Sequence, residues 1–353
     1  MRTVLRVIGR GLALVVGLSV LLVAYTWLRF MPVWQEAEDV SFMNGEVRLV
    51  GTLYRPGTEG TFPAVIVLHG SGPETRAEPS YRIEARTMLD RGFAVLLYDK
   101  RGAGESGGDL QTATYEDLAA DAVAAIRYLE EQSDIDAGRI GLWTNSESGW
   151  FGPQVAAESG KVAFIANRVG PPLSWVDTVI WEARNDFLAD GIAAADLDAL
   201  LAVTLWRWSY YRAAAENPSL AEGQERNAVN AEMARVRSSV EGAERVMNEQ
   251  VADYDPVFYR NFAARAAYDP DPWLRRIGVP LLYVFAENDI NVPTADAVAY
   301  LDALRRNYPA GISVHVYPDL GHSLFTWRGL LSAGYPPDYL PMVGSWAEAQ
   351  VAQ

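Results

Sequence analysis

The sequence predicts an α/β protein: a mostly parallel, doubly wound sheet, interrupted by a helical lid insertion and preceded by a transmembrane helix. Three observations carry that prediction. Short continuous apolar runs such as "PAVIVLHG" and "FAVLLYD" alternate with amphipathic helical stretches, the pattern of strands buried on both faces. The alternation stops at Pro171-Pro172 and resumes near residue 266. Residues 11–28 carry no charge.

The uncharged run follows Arg2, Arg6 and Arg10 and is followed by Arg29, then by Glu36, Glu38 and Asp39. Eighteen helical residues rise about 27 Å, close to the ~30 Å hydrocarbon core of a bilayer. The basic flank predicts a cytoplasmic amino terminus and a body on the extracytoplasmic side of a cell membrane, with Tyr25 and Trp27 at the far interface. The alternative is a cleaved signal sequence and a secreted or periplasmic body. No small-x-small cleavage site follows the run, which favours an anchor. Residues 1–33 are assigned to this segment.

The remaining elements follow in order. "VSFMNGEVRLVGTLYRP" alternates around Asn44-Gly45, the signal of a hairpin with a type I′ turn. "FPAVIVLHG" reads as a buried strand, a helical stretch near 79–91 follows, and "GFAVLLYD" is a second buried strand. Residues 114–132 form an amphipathic helix with Thr114 as N-cap and Asp117 at N3. "RIGLWT" and "KVAFIANRVG" are the third and fourth strands. Residues 173–265 show no strand signal. They are rich in Ala, Glu and Arg and hold Trp175, Trp181, Trp206, Trp208, Tyr210 and Tyr211, which read as helix-pair core and together as an apolar lid. "GVPLLYVFAENDINVP", a helical pattern over 294–307, "ISVHVYP" and a helical tail complete the sheet. The core is therefore assigned to 34–172 and 266–353, and the lid insertion to 173–265.

Composition narrows the chemistry. With 353 residues and 50% hydrophobic content, the chain can build one large core. Beyond residue 30 it carries 26 basic and 45 acidic side chains, a balance that repels phosphate backbones and excludes nucleic-acid binding. There is no Cys, hence no thiolate nucleophile, disulfide or Cys-ligated metal. Histidines number three, His69, His315 and His322, so any imidazole mechanism has three candidates and a His-rich metal site has too few ligands.

Acyl transfer by serine needs a hydroxyl beside an imidazole, a carboxylate to orient the imidazole, and N–H donors for the oxyanion. In an open α/β sheet such groups gather at the carboxyl ends of strands. Ser146 follows "RIGLWT" and opens a helical stretch, Asp289 follows "LLYVFAEN", and His322 follows the last strand in "YPDLGHS". The order Ser146, Asp289, His322 is the one such architectures use. Glu287 is the rival acid. His315 alternates with Val314 and Val316 inside a strand and reads as packed or solvent-facing, and His69 reads as shaping a loop. In "LHGSGP", the Ser71 or Gly72 N–H, with the N–H of Glu147, can form an oxyanion hole. The motif itself departs from Gly-x-Ser-x-Gly, since Thr144 and Ser148 stand at the two glycine positions.

These stretches resemble the α/β-hydrolase superfamily, in particular carboxylesterases and dienelactone-hydrolase-like serine hydrolases with a helical lid. The resemblance spans about residues 40–350 and is carried by "GTLYRP", "FPAVIVLHGSGP", "YDKRGAGES", "RIGLWTNSESGWFGP", "VGPP", "FAENDINVP" and "YPDLGHS". Trp143, Gly149, Trp150 and Pro153 set the register that puts Ser146 in the nucleophile position. The resemblance implies Asp289 and His322 as acid and base, the oxyanion loop at His69–Gly72, and a structural turn at 99–106. It implies a small-molecule acyl ester as substrate and no metal or organic cofactor. A serine peptidase or thioesterase with the same triad stays open, as does a non-catalytic binding domain. Oligomeric state is not legible.

Overall fold

The computed structural model describes residues 2–30 and 36–352. A single eight-stranded sheet organises the body: β1 (Glu36–Asn44), β2 (Val47–Arg55), β3 (Phe62–Val67), β4 (Ala94–Tyr98), β5 (Ile135–Asn145), β6 (Val162–Arg168), β7 (Leu281–Ala286) and β8 (Ile312–Tyr317). Their spatial order is β1-β2-β4-β3-β5-β6-β7-β8. The pairs β1–β2 and β2–β4 are antiparallel and all the others parallel. Long parallel crossovers carry helices over both faces, so the strands are apolar on both sides. In β3, Ala64 and Ile66 enter one core while Val65 and Val67 enter the other.

The amino-terminal helix α1 (Arg2–Phe30) precedes the sheet. Two helices cover one face of it: α2 (Pro79–Leu89) and, at the far end of the chain, a helix over Tyr339–Val351. The opposite face carries α3 (Tyr115–Glu130), α4 (Ser148–Ser159) and a helix over Thr294–Arg305. The α3 start follows its sequence signal: Thr114 Oγ1 accepts from the Asp117 N–H, and the Asp117 carboxylate accepts from the Thr114 N–H.

Between β6 and β7 the chain builds α5 (Trp175–Ala189), α6 (Leu197–Glu216), α7 (Gln224–Ser239), the single turn α8 (Ala243–Val246) and α9 (Pro256–Ala266). This bundle has its own apolar centre, including Leu200, Met233, Val236 and Tyr259. Trp208, Tyr210 and Tyr211 are buried in it, whereas Trp206 is exposed. The bundle is fastened to the sheet at two places. Trp181 Nε1 and Asn185 Nδ2 donate to the carbonyls of Asp289 and Ile290, and Arg265 donates to the carbonyls of Leu110 and Ala113. The short helix α10 (Asp271–Leu274) leads back to β7; the Thr294–Arg305 and Tyr339–Val351 helices are α11 and α12.

Two expectations change. The β1–β2 turn is centred on Gly45-Glu46, because Asn44 pairs with Val47. Only Gly45 has a positive φ, +57°, whereas a type I′ turn needs two such residues; glycine at the first central position alone is the II′ pattern. The transmembrane expectation is not supported either. Among the described residues no helix is long and apolar enough to cross a membrane. Arg2, Arg6, Arg10 and Trp27, the flanking residues of that expectation, lie outside the described side chains.

Candidate active site

The turn from β5 into α4 presents Ser146. Its φ is +47°, a conformation that costs a non-glycine residue of order 1–3 kcal/mol. The surroundings hold it there: the Ser146 N–H donates to Arg168 O on β6 at 3.0 Å, and the Gly149 N–H donates to Ser146 O at 2.8 Å.

The two substituted glycines are accommodated differently. The Ser148 hydroxyl accepts from the Asn145 N–H at 2.7 Å and donates to Asn145 O at 3.0 Å, closing the turn upon itself. Thr144 is buried and directs Cγ2 toward α4, at the point where α4 carries Gly152; a Cβ on Gly152 would come within 2.7 Å of it. A second close approach lies at Gly149, where a Cβ would meet Gly170 Cα, in the loop after β6, at 2.6 Å. Space that the usual motif obtains from its two glycines is obtained here from Gly149 and Gly152 on α4 and from Gly170 after β6.

His322 follows β8 and Asp289 follows β7. Ser146 Oγ lies 2.9 Å from His322 Nε2, and His322 Nδ1 lies 2.8 Å from Asp289 Oδ2. Asp289 Oδ1 also accepts the N–H groups of Asn291 and Val292, so the carboxylate is fixed by its own loop. With Nδ1–H donated to the carboxylate, Nε2 is free to accept the serine proton. The side chain of Glu287, the rival acid, instead accepts from the Asp319 N–H. His315 sits in β8 opposite Val284 and packs on the Tyr317 ring at 4.4 Å.

His69 is buried between the rings of Tyr81 and Tyr98, and its Nε2 lies 2.6 Å from Tyr98 O. Burial, aided by the nearby Lys100 charge, pushes its pKa down to about 3, so the ring is neutral and donates Nε2–H to that carbonyl. Next to it, Gly70 lies against Ser146: a Cβ there would be 3.6 Å from Ser146 Cβ. No acceptor is found among the described residues for the N–H groups of Ser71, Gly72 or Glu147.

Several side-chain pairings at the site carry no motif signal. Lys100 and Glu147 are buried and paired with each other. Behind the turn, the fully buried Glu84 accepts from Asn145 Nδ2 and pairs with Arg168 Nε at 3.0 Å. Burial raises the Glu84 pKa to about 7. Glu182 on α5 accepts from Asn291 Nδ2, and burial raises its pKa too. Val169 takes a φ of +48°, strained for a β-branched residue. Such partners come from crossovers remote in sequence, so spacing cannot reveal them.

A cavity of about 350 Å³ opens beside Ser146 and His322 and is lined by Glu74, Arg168, Glu182 and Asn291. A second, of about 390 Å³, lies under the lid against Tyr115, Trp150, Trp175, Phe258 and Phe262. Both touch Ser71 and Glu147. Segment 99–106 lies outside them and is a turn built on Asp99, whose carboxylate accepts from the N–H groups of Arg76 and Glu105 and pairs with the Arg76 guanidinium. Among the described residues no group of His, Asp and Glu is arranged to hold a metal.

This sheet order, with Ser146 on the turn after its fifth strand, defines a serine hydrolase of the α/β-hydrolase superfamily. The comparisons narrow it. Residues 44–318 match the profile of the X-Pro dipeptidyl-peptidase (S15) family, and the chain belongs to that family. Esterase EstD of Thermotoga maritima is 22% identical over 301 residues, 83% of this chain and 61% of that protein. The quorum-quenching protein AidA of Acinetobacter baumannii is 30% identical over 131 residues, 37% of this chain and 42% of that protein. The match therefore spans less than two thirds of either relative. Among solved structures, an esterase of Pyrococcus furiosus superposes with a TM-score of 0.57 at 16% identity, covering 89% of this chain and 91% of its own. Est1E of Butyrivibrio proteoclasticus, solved with ferulic acid, gives 0.55 at 14% identity, covering 89% and 100%.

Proposed function

We propose that this hydrolase cleaves carboxylic esters through an acyl-enzyme on Ser146. The carrying observation is the unbroken chain of hydrogen bonds from Ser146 Oγ through His322 to Asp289, at 2.9 and 2.8 Å. His322 Nε2 takes the serine proton as Oγ attacks the acyl carbon. The resulting imidazolium is stabilised by Asp289, and the oxyanion is met by the N–H of Glu147 and that of Ser71 or Gly72. The same imidazolium then returns its proton to the leaving alcohol. Water, deprotonated by His322, releases the acid.

The second reading is amide cleavage by the same groups, favoured by the S15 family match. One experiment weighs both. Purified protein and Ser146→Ala are exposed to a fluorophosphonate probe, then to p-nitrophenyl acyl esters, acyl thioesters and X-Pro p-nitroanilides. Labelling and ester turnover that vanish in Ser146→Ala support the esterase reading. Turnover of the anilides alone replaces it with the peptidase. Equal labelling of both proteins refutes a Ser146 nucleophile.

For location, the proposal stays with the sequence: attachment to a cell membrane through the uncharged run 11–28, with the hydrolase on the extracytoplasmic side.

A further inference from the structure

We infer that Lys100 is a positioning residue for the oxyanion hole, joining its two halves; this deepens the acyl-transfer reading of Ser146 and rests on it. Lys100 is buried at 2% exposure two residues beyond β4, and its ammonium makes two contacts among the described residues. It donates to Gly70 O at 2.8 Å, and it pairs with the carboxylate of Glu147, itself buried at 8% exposure.

The first contact sets a direction. In a trans peptide the C=O and the following N–H point opposite ways. Holding Gly70 O toward Lys100 therefore turns the Ser71 N–H away from it. The preceding peptide is pinned as well, because the Gly70 N–H donates to Tyr81 Oη at 2.8 Å. Gly70 cannot rotate either peptide plane without breaking one of these bonds. The second contact reaches the residue after the nucleophile, whose N–H is the other donor. One ammonium thus ties the loop after β3 to the turn after β5, and both donors are left without an acceptor among the described residues. Preorganised donors of this kind need no rearrangement when the oxyanion forms.

The test compares wild type, Lys100→Met and Lys100→Met/Glu147→Gln on an ester and on its thionoester, whose sulfur is a poor acceptor. A hole that discriminates favours the oxygen ester. Loss of positioning lowers kcat on the ester about 10- to 100-fold, a fraction of the 10²–10³ carried by a whole donor. It leaves KM within about twofold and collapses the ester-to-thionoester ratio in both variants. The double variant contains no unpaired buried charge, so it carries the test if Lys100→Met fails to fold. A ratio equal to wild type in the double variant overturns the proposal and leaves the ion pair a purely structural contact. Wild type that neither turns over esters nor takes the fluorophosphonate overturns the reading of Ser146, and this inference with it.

Discussion

A Cβ on Gly152 would lie 2.7 Å from Thr144 Cγ2, and Thr144 Oγ1 is buried without a hydrogen-bond partner among the described residues. These two facts give Thr144 opposite halves. Its methyl fills the space above the helix, while its hydroxyl loses solvation for no bond. Thr144→Val should accordingly be neutral or stabilising by up to about 1 kcal/mol. Gly152→Ala should destabilise by about 1–3 kcal/mol through overpacking. In a Thr144→Gly background the sign should reverse, because alanine then expresses its helix preference of about 0.5–1 kcal/mol. Urea unfolding of the four-member cycle measures this. Additive effects would show that the two sites do not touch.

The elements divide by what their residues say locally. The α3 capping box is written within four residues, Thr114 to Asp117, and the structure forms it. The β1–β2 turn was legible as a turn but one residue out of register, because its centre depends on which residues pair across the strands. The docking of α5 on the loop after β7 has no local signal; Trp181 and Asn185 meet that loop more than a hundred residues later. For α1, the exposed leucines and valines of 12–25 are left uncovered over most of their surface by the described residues. The membrane attachment proposed above predicts recovery of the chain in the membrane fraction. A variant beginning at residue 36 should be soluble with an unchanged Tm. Full-length protein recovered in the soluble fraction would refute attachment.

At the scale of the molecule, a neutral buried histidine makes stability depend on pH. His69 has a folded pKa of about 3 against ~6.5 in the unfolded chain. Between those values the unfolded chain binds a proton that the folded one refuses. Stability therefore falls as pH drops from about 6.5 toward 3, by at most ~1.4 kcal/mol per pH unit, and is unaffected by this group above that window. His69→Asn removes the titration. It should lower the slope of unfolding free energy against pH between 4 and 6 relative to wild type, where the buried Glu84, raised to about 7, contributes with the opposite sign, whatever its effect at neutral pH. An unchanged slope would show that another group governs acid stability.

Sequence alone determined the order of strands and helices, because buried parallel strands write themselves as short apolar runs and the helices between them as 3.6-residue patterns. It singled out Ser146, Asp289 and His322, because a chain with three histidines and no cysteine leaves few ways to assemble an imidazole mechanism. The tertiary structure decided what spacing cannot express. It set a glycine in α4 against the threonine on β5, closed the turn with the Ser148 hydroxyl, and brought Lys100 from the loop after β4 between Gly70 and Glu147. Each of these depends on side chains from different crossovers meeting at one end of the sheet, and contact across a sheet is a property of strand order, which no local pattern encodes.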